Sequence, residues 1–275
     1  MATTAIDLQA YCRRIGYKGR LSAEPDTVKA LVVQHTHAIS FENLNPFLGW
    51  PVDISLAAVE RKLVHGGRGG YCYEQNTLFR AVLESLGIAV IGLAARVLWQ
   101  RPAGTTPAQS HMMLRAEIEG IPYLVDVGFG IQTPTWPLRL DTEKPQTTPH
   151  GRYRKLQQGG EYWVEVEISG EWKPIYSFDL QQQSAGDYKM FNWYCSTHPD
   201  SHFTTDLIAT RPTTGGRYTL RNNNLIFYPH SGPKRESALA SVDELREVLL
   251  QTFDINLPDT PETERDLEKV FTSGK

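Results

Sequence analysis

The sequence predicts an α+β fold on three observations. Hydrophobic residues recur with a helical period over 1–87, with a strand-like period over 88–205, and as a hairpin followed by an amphipathic helix over 206–275. These spans are the expected domain organisation.

The elements follow in order. In AIDLQAYCRRIG, Leu8, Tyr11, Cys12 and Ile15 fall at three- and four-residue steps, and Gly16 ends the pattern. TVKALVVQHTHAI repeats this behind Pro25, a residue suited to a first helical turn. Residues 53–65 predict a third helix stopping at Gly66 and Gly67, and a fourth runs from about Tyr73 to Leu86, closed by Gly87. Beyond it, IAVIGLAARVLW, HMMLRAEI, IPYLVDV, YWVEVEI and EWKPIYSF are short runs bounded by turn residues, the pattern of an antiparallel sheet or barrel. GRYTLRNNNLIFY reads as a hairpin around Asn222 to Asn224, and SVDELREVLLQTF as a helix with Ser241 and Glu244 in a capping box. The tail from Pro258 is charged and reads as loosely held.

Composition narrows the function. With 28 Lys and Arg against 31 Asp and Glu, the net charge of −3 leaves no field to gather nucleic acid or an anionic membrane. The N-terminus carries no basic, then apolar leader, and no window is long enough to span a bilayer, so a cytoplasmic protein is expected. Three scattered cysteines give neither a disulfide framework nor a C-x-x-C metal pair. His35 and His37 lie two apart on a helix and do not face one another, so no metal is expected. GGRGG lacks the spacing of a phosphate loop. Oligomeric state is not legible.

Cys12, on an apolar helical face, and Cys195 read as packing. Cys72, in RGGYCYEQN, differs. Two glycines allow a sharp turn and close ligand approach, and the helix that follows leaves N–H groups and partial positive charge near the sulfur. These features are compatible both with a buried thiol and with a nucleophile. A nucleophilic thiol, ordinarily near pKa 8.5, needs a base to ionise it and a third group to orient the base.

The segment SHMMLRAEIEGIPYLVDVGFG supplies both. A hairpin turning at Glu119 and Gly120 pairs Ile118 with Ile121 and puts Met113 opposite Asp126. His111, two residues from Met113, then shares a face with Asp126 as a diagonal neighbour about 7–8 Å away. Asp126, between Val125 and Val127, is costly to bury without a partner, and a hydrogen-bonded histidine is the nearest one available. Together these residues favour a Cys72, His111, Asp126 site.

At these positions the chain resembles the arylamine N-acetyltransferases. Their R-G-G-x-C-x-E-x-N motif is matched by Arg68, Gly69, Gly70, Cys72, Glu74 and Asn76, and their histidine followed by D-V-G-F-G by His111 and residues 126–130. Their P-F-E-N-L appears as SFENL at 40–44, and their R-I-G-Y as Arg14 to Tyr17. The resemblance implies a helical bundle, an antiparallel β-barrel and an α/β lid, with a papain-like cysteine site. It also implies ping-pong transfer from acetyl-CoA, as co-substrate, to an aromatic amine, hydrazine or N-hydroxyarylamine. Cys72 would carry the acyl group, His111 would be its base and Asp126 the orienter. Phe41, Phe129 with its flanking Gly128 and Gly130, Ser110 and Tyr71 would line the acceptor site. Phe203, His230 and Lys234 would face the coenzyme, and Arg14, Glu42 and Arg68 would form a buried charge cluster. Ser40 departs from the proline usual in the family, which bears on the loop carrying Phe41. The same scaffold would serve a polyketide amide synthase, and the same three residues a cysteine hydrolase.

Overall fold

Local signals in the sequence fix most of the N-terminal helices. The computed structural model describes residues 5–272. Its first helix, Leu8–Ile15, is capped by Asp7, which accepts from the Ala10 N–H, and ends where Gly16 turns left-handed at φ 71°. Helix Pro25–Ala38 begins on its proline. The third helix starts at Leu56 rather than at 53, and beyond Glu60 it widens into a π-helical turn, Arg61–His65. The fourth, Cys72–Ser85, begins at Cys72 itself. A strand Phe41–Glu42 and a helix Leu44–Leu48 are too short to show any period, and hydrophobic spacing misses both. Tyr11, Leu31, Tyr73, Phe79 and Val82 bury the inner helix faces against Leu114, Ala116 and Val125 of the sheet.

An eight-stranded antiparallel sheet forms a nearly closed barrel. At its centre, Ala89–Val97 pairs on one side with Gln109–Ile118 and on the other with Glu171–Phe178. The hairpin register is the expected one: Ile118 faces Ile121 and Leu114 faces Val125, with Glu119 and Gly120 both at positive φ in the turn. The barrel strands stop at Phe178, inside the span 88–205 expected to be β-rich. Helix Ala185–Thr197 follows, capped by Ser184 and Asp187, and then His202–Thr205. Met190, Trp193 and Tyr194 are exposed on the longer helix, so apolar residues on both faces blur its period.

Phe41–Glu42 is also the edge of a second, five-stranded antiparallel sheet whose other strands lie between 208 and 238. The N-terminal loop that precedes the nucleophile is thereby tied to the C-terminal part of the chain. Leu207, Leu220, Leu245, Leu249 and Phe253 form this sheet's core. Ser241 caps helix Val242–Gln251 as expected, but Glu244 reaches the N–H of Ala240, one residue before the cap. The tail is not loose: helices Pro261–Leu267 and Lys269–Thr272 bury Leu267 and Val270 in the same core, their charges turned outward. Among the described residues no helix is long and apolar enough to cross a membrane.

Candidate active site

Cys72 opens its helix because close backbone packing leaves room only for glycine around it. A Cβ on Gly69 would lie 2.1 Å from the Ser40 carbonyl oxygen, and one on Gly128 would lie 2.8 Å from the Cys72 Cα. Glu74 closes the first turn by accepting from the Tyr71 N–H at 3.2 Å. Gln75 anchors the preceding loop, donating to the carbonyls of Ile39, Ser40 and Gly70 while its Oε1 meets His35 Nε2 at 2.7 Å. The nucleophile candidate thus sits on a backbone fixed from several directions.

The hairpin packs against this helix and brings its two polar side chains together. His111 Nε2 and Asp126 Oδ2 are 2.7 Å apart, both groups buried. Asp126 Oδ1 accepts from Asn76 Nδ2 at 3.1 Å and from the Gly128 N–H at 2.9 Å. Asn76 also donates to the Met112 carbonyl and accepts from the Val127 N–H, so one side chain of the cysteine helix ties both hairpin strands. The imidazole is held between Phe129 and Tyr176, with ring centroids 5.1 and 5.4 Å away.

Cys72 Sγ lies 3.9 Å from the Ser110 carbonyl oxygen, next to His111 in the chain, and its contact is to that oxygen rather than to the ring. Burial, followed by the thiol of Cys195, pushes the Cys72 thiol well above its ordinary range, against hydrogen bonding from the backbone of Met112 and Tyr73. Forming a thiolate here therefore calls for a base to take the proton.

Phe41, Tyr71 and Phe203 group together near the sulfur: Phe203 lies 6.2 Å from the Phe41 ring and 5.5 Å from that of Tyr71. Tyr71 is fully buried with its hydroxyl on Asn192 Oδ1, so it forms a wall and presents no polar group. Gly130 is at φ 91°, where any added Cβ would contact the Phe41 ring.

Phe203 thus stands among these aromatic residues. Lys234 is exposed and paired with Glu236 at 2.6 Å, where a surface ion pair contributes little. Arg14 is not in the charge cluster. It binds Asp254 at 2.7 Å and the carbonyl of Leu63, inside the π-helical turn.

The cluster is instead Glu42, Arg68, Lys62 and Glu74. Arg68 meets Glu42 Oε1 at 2.8 Å, and Lys62 meets Glu74 at 2.7 Å and Glu42 at 3.8 Å. Burial raises the Glu42 carboxyl, but Arg68 and then Lys62 outweigh it and hold the group below its usual value. For Glu74 burial dominates, and its carboxyl is raised. Sequence reasoning missed Lys62, Gln75 and Tyr176; only Gln75, inside RGGYCYEQN, stood near a visible signal, while Cys195 is the buried packing thiol expected.

A nearly closed antiparallel barrel with a histidine–carboxylate pair, set against a helix that opens on a buried cysteine, defines a papain-like cysteine scaffold. A family model described as N-acetyltransferase matches residues 25–262. The chain is 41% identical over 259 residues to an arylamine N-acetyltransferase of Mycolicibacterium smegmatis, covering 93% of this chain and 94% of that one. It is 37% identical over 253 residues to that of Escherichia coli, covering 92% and 90%. The structure of the Mycobacterium marinum arylamine N-acetyltransferase in complex with CoA superposes with a TM-score of 0.92 at 39% identity, covering 96% and 99%. The chain belongs to the arylamine N-acetyltransferase family and is an acyltransferase.

Proposed function

We propose that the chain transfers acetyl from acetyl-CoA to an aromatic amine, hydrazine or N-hydroxyarylamine by a ping-pong route through Cys72. The observation that carries this reading is the 2.7 Å contact of His111 with Asp126, on a hairpin packed beside the cysteine. Because Nε2 of His111 is committed to the carboxylate, Nδ1 is the nitrogen left for the thiol proton. Asp126, fixed by Asn76 and the Gly128 N–H, keeps that tautomer and orientation.

In the first half, the Cys72 proton passes to His111 as the sulfur adds to the thioester carbonyl. The coenzyme thiolate departs, taking that proton, and leaves acetyl on Cys72. In the second half, an amine adds to the acyl carbon, His111 removes its proton, and the sulfur leaves. First-turn N–H groups at Cys72 and Tyr73, which a helix leaves without carbonyl partners, are suited to the oxyanion. Phe41, Phe129 and Phe203 supply an apolar surface for an aromatic acceptor and exclude water that would hydrolyse the intermediate.

The test is turnover with acetyl-CoA and an arylamine, followed by release of coenzyme thiol. The reading expects release that depends on the amine. Release at the same rate without amine would mark a hydrolase and contradict it.

A further inference from the structure

Phe41 stands in the aromatic group near the sulfur, yet its strand is only Phe41–Glu42, too short for a ladder alone to hold. The strand runs between the C-terminal sheet and the nucleophile loop. Phe41 pairs with Thr210 on one side and bridges Gly70 on the other. Further bonds come from the residue before it, Ser40.

Ser40 is buried, and its carbonyl and hydroxyl are both engaged. The carbonyl accepts from Gln75 Nε2 at 2.9 Å and from the Gly70 N–H at 3.3 Å, which joins it to the helix and the loop of the nucleophile. The hydroxyl donates to the Phe253 carbonyl at 2.5 Å, just past helix Val242–Gln251. The turn that carries this carbonyl is itself fixed. Arg211 donates to the Thr252 carbonyl at 2.9 Å, Arg14 binds the Asp254 carboxylate at 2.7 Å, and the Asn256 N–H donates to the Gly67 carbonyl at 2.9 Å. Gln75 is oriented in turn. Its amide nitrogen is spent on carbonyls, so its Oε1 accepts from His35 Nε2, and His35 Nδ1 accepts from the Tyr11 hydroxyl at 2.9 Å.

A proline, usual at this position in the family, restrains the backbone through its ring and has no hydroxyl to offer. Serine leaves the backbone freer, and the bond to Phe253 takes over the restraint. Without it a buried carbonyl loses its donor and the peptide leading into Phe41 is free to shift. The Phe41 ring lies 6.2 Å from that of Phe203, and the nearby Gly130 has no side chain to brace it. Cys72 is held separately, by Glu74 on the Tyr71 N–H. We infer that Ser40 is a positioning residue that sets acceptor preference: its hydroxyl, anchored on the Phe253 carbonyl, keeps the Phe41 ring in place for an acceptor that carries an aromatic ring. The inference rests on the proposed acetyl transfer.

The experiment measures KM and kcat of wild type and Ser40→Ala for aniline and for hydrazine, which has no ring, together with the burst of coenzyme thiol on mixing the enzyme with acetyl-CoA alone. The expected result is a rise of about tenfold in KM for aniline with kcat kept, and no change in the KM for hydrazine or in the burst. In Phe41→Leu, which lacks the ring, adding Ser40→Ala should alter the aniline KM no further. Equal KM changes for the two acceptors, no change for either, a slowed burst, or a full Ser40→Ala effect on top of Phe41→Leu would each overturn the inference. Ser40→Cys, close in shape with a weaker donor, should fall between wild type and Ser40→Ala, and it is read the same way if Ser40→Ala does not fold. A wild type without amine-dependent thiol release would refute the proposed function alone. The Kd of aniline, measured by equilibrium dialysis, would then decide: about tenfold weaker in Ser40→Ala supports the inference, and an equal Kd overturns it.

Discussion

Arg68, beneath the nucleophile loop, and Arg217, on the second sheet, are both buried, and their surroundings are opposite. Arg68 meets Glu42 and Asn45, with Lys62 and Glu74 completing the network. Arg217 meets only carbonyl and hydroxyl oxygens and keeps a nitrogen unused. The difference separates two kinds of buried charge. Where the partners include carboxylates, the charge is neutralised and holds the backbone in place; at Arg217 it is met by neutral oxygens alone.

Six substitutions sharpen or break that contrast. The largest effect is expected at the sulfur: Cys72→Ala should lower transfer by roughly 10⁴-fold or more with the fold intact, measured by turnover and circular dichroism. Glu42→Ala strips Arg68 of its main partner and should cost roughly 3–5 kcal/mol in denaturant unfolding. The same assay on Arg217→Gln should show a smaller loss, because no buried opposite charge is stranded; equal losses would end the distinction. Gly128→Ala drives a Cβ toward the Cys72 backbone, and a shift of that size should cost on the order of 10²-fold in kcat.

A pH titration probes the internal side again. His35, fully buried between Tyr11 and Gln75, is held down to about 4, with burial the main cause. Its folded value lies below the unfolded one, near 6.5, so the unfolded chain binds the extra proton and stability falls as pH drops from about 6.5 toward 4. Roughly 3 kcal/mol is at stake, and His35→Gln should flatten that part of the profile. The smallest effect is expected at Asp254→Ala: the carboxylate paired with Arg14 is half exposed, and its loss should cost below about 1 kcal/mol.

The pairing of His111 with Asp126 was legible because it lies in local sequence. A hairpin with a two-residue turn fixes its own register, and a carboxylate in a run of valines demands a partner. Phe41 and Glu42 were legible only through motif resemblance, since a two-residue strand has no period. Arg14 misled because the resemblance that placed it with Glu42 and Arg68 said nothing about Asp254, which lies far along the chain. Helix Ala185–Thr197 was missed because exposed aromatic residues sit where polar ones would mark its outer face. Arg217 could not be singled out, because an unpaired charge is defined by contacts from Thr133, His150 and Tyr153, each remote from it in sequence.

The central claim is that acetyl rests on Cys72 between the two half-reactions. Intact-protein mass spectrometry after mixing the chain with acetyl-CoA alone tests it directly, with peptide mapping to locate the adduct. The account predicts one added acetyl group, on Cys72 and not on Cys12 or Cys195, which disappears when an arylamine is added and reappears on the amine. An unmodified protein that still acetylates the amine, or an adduct on Cys195, would contradict it.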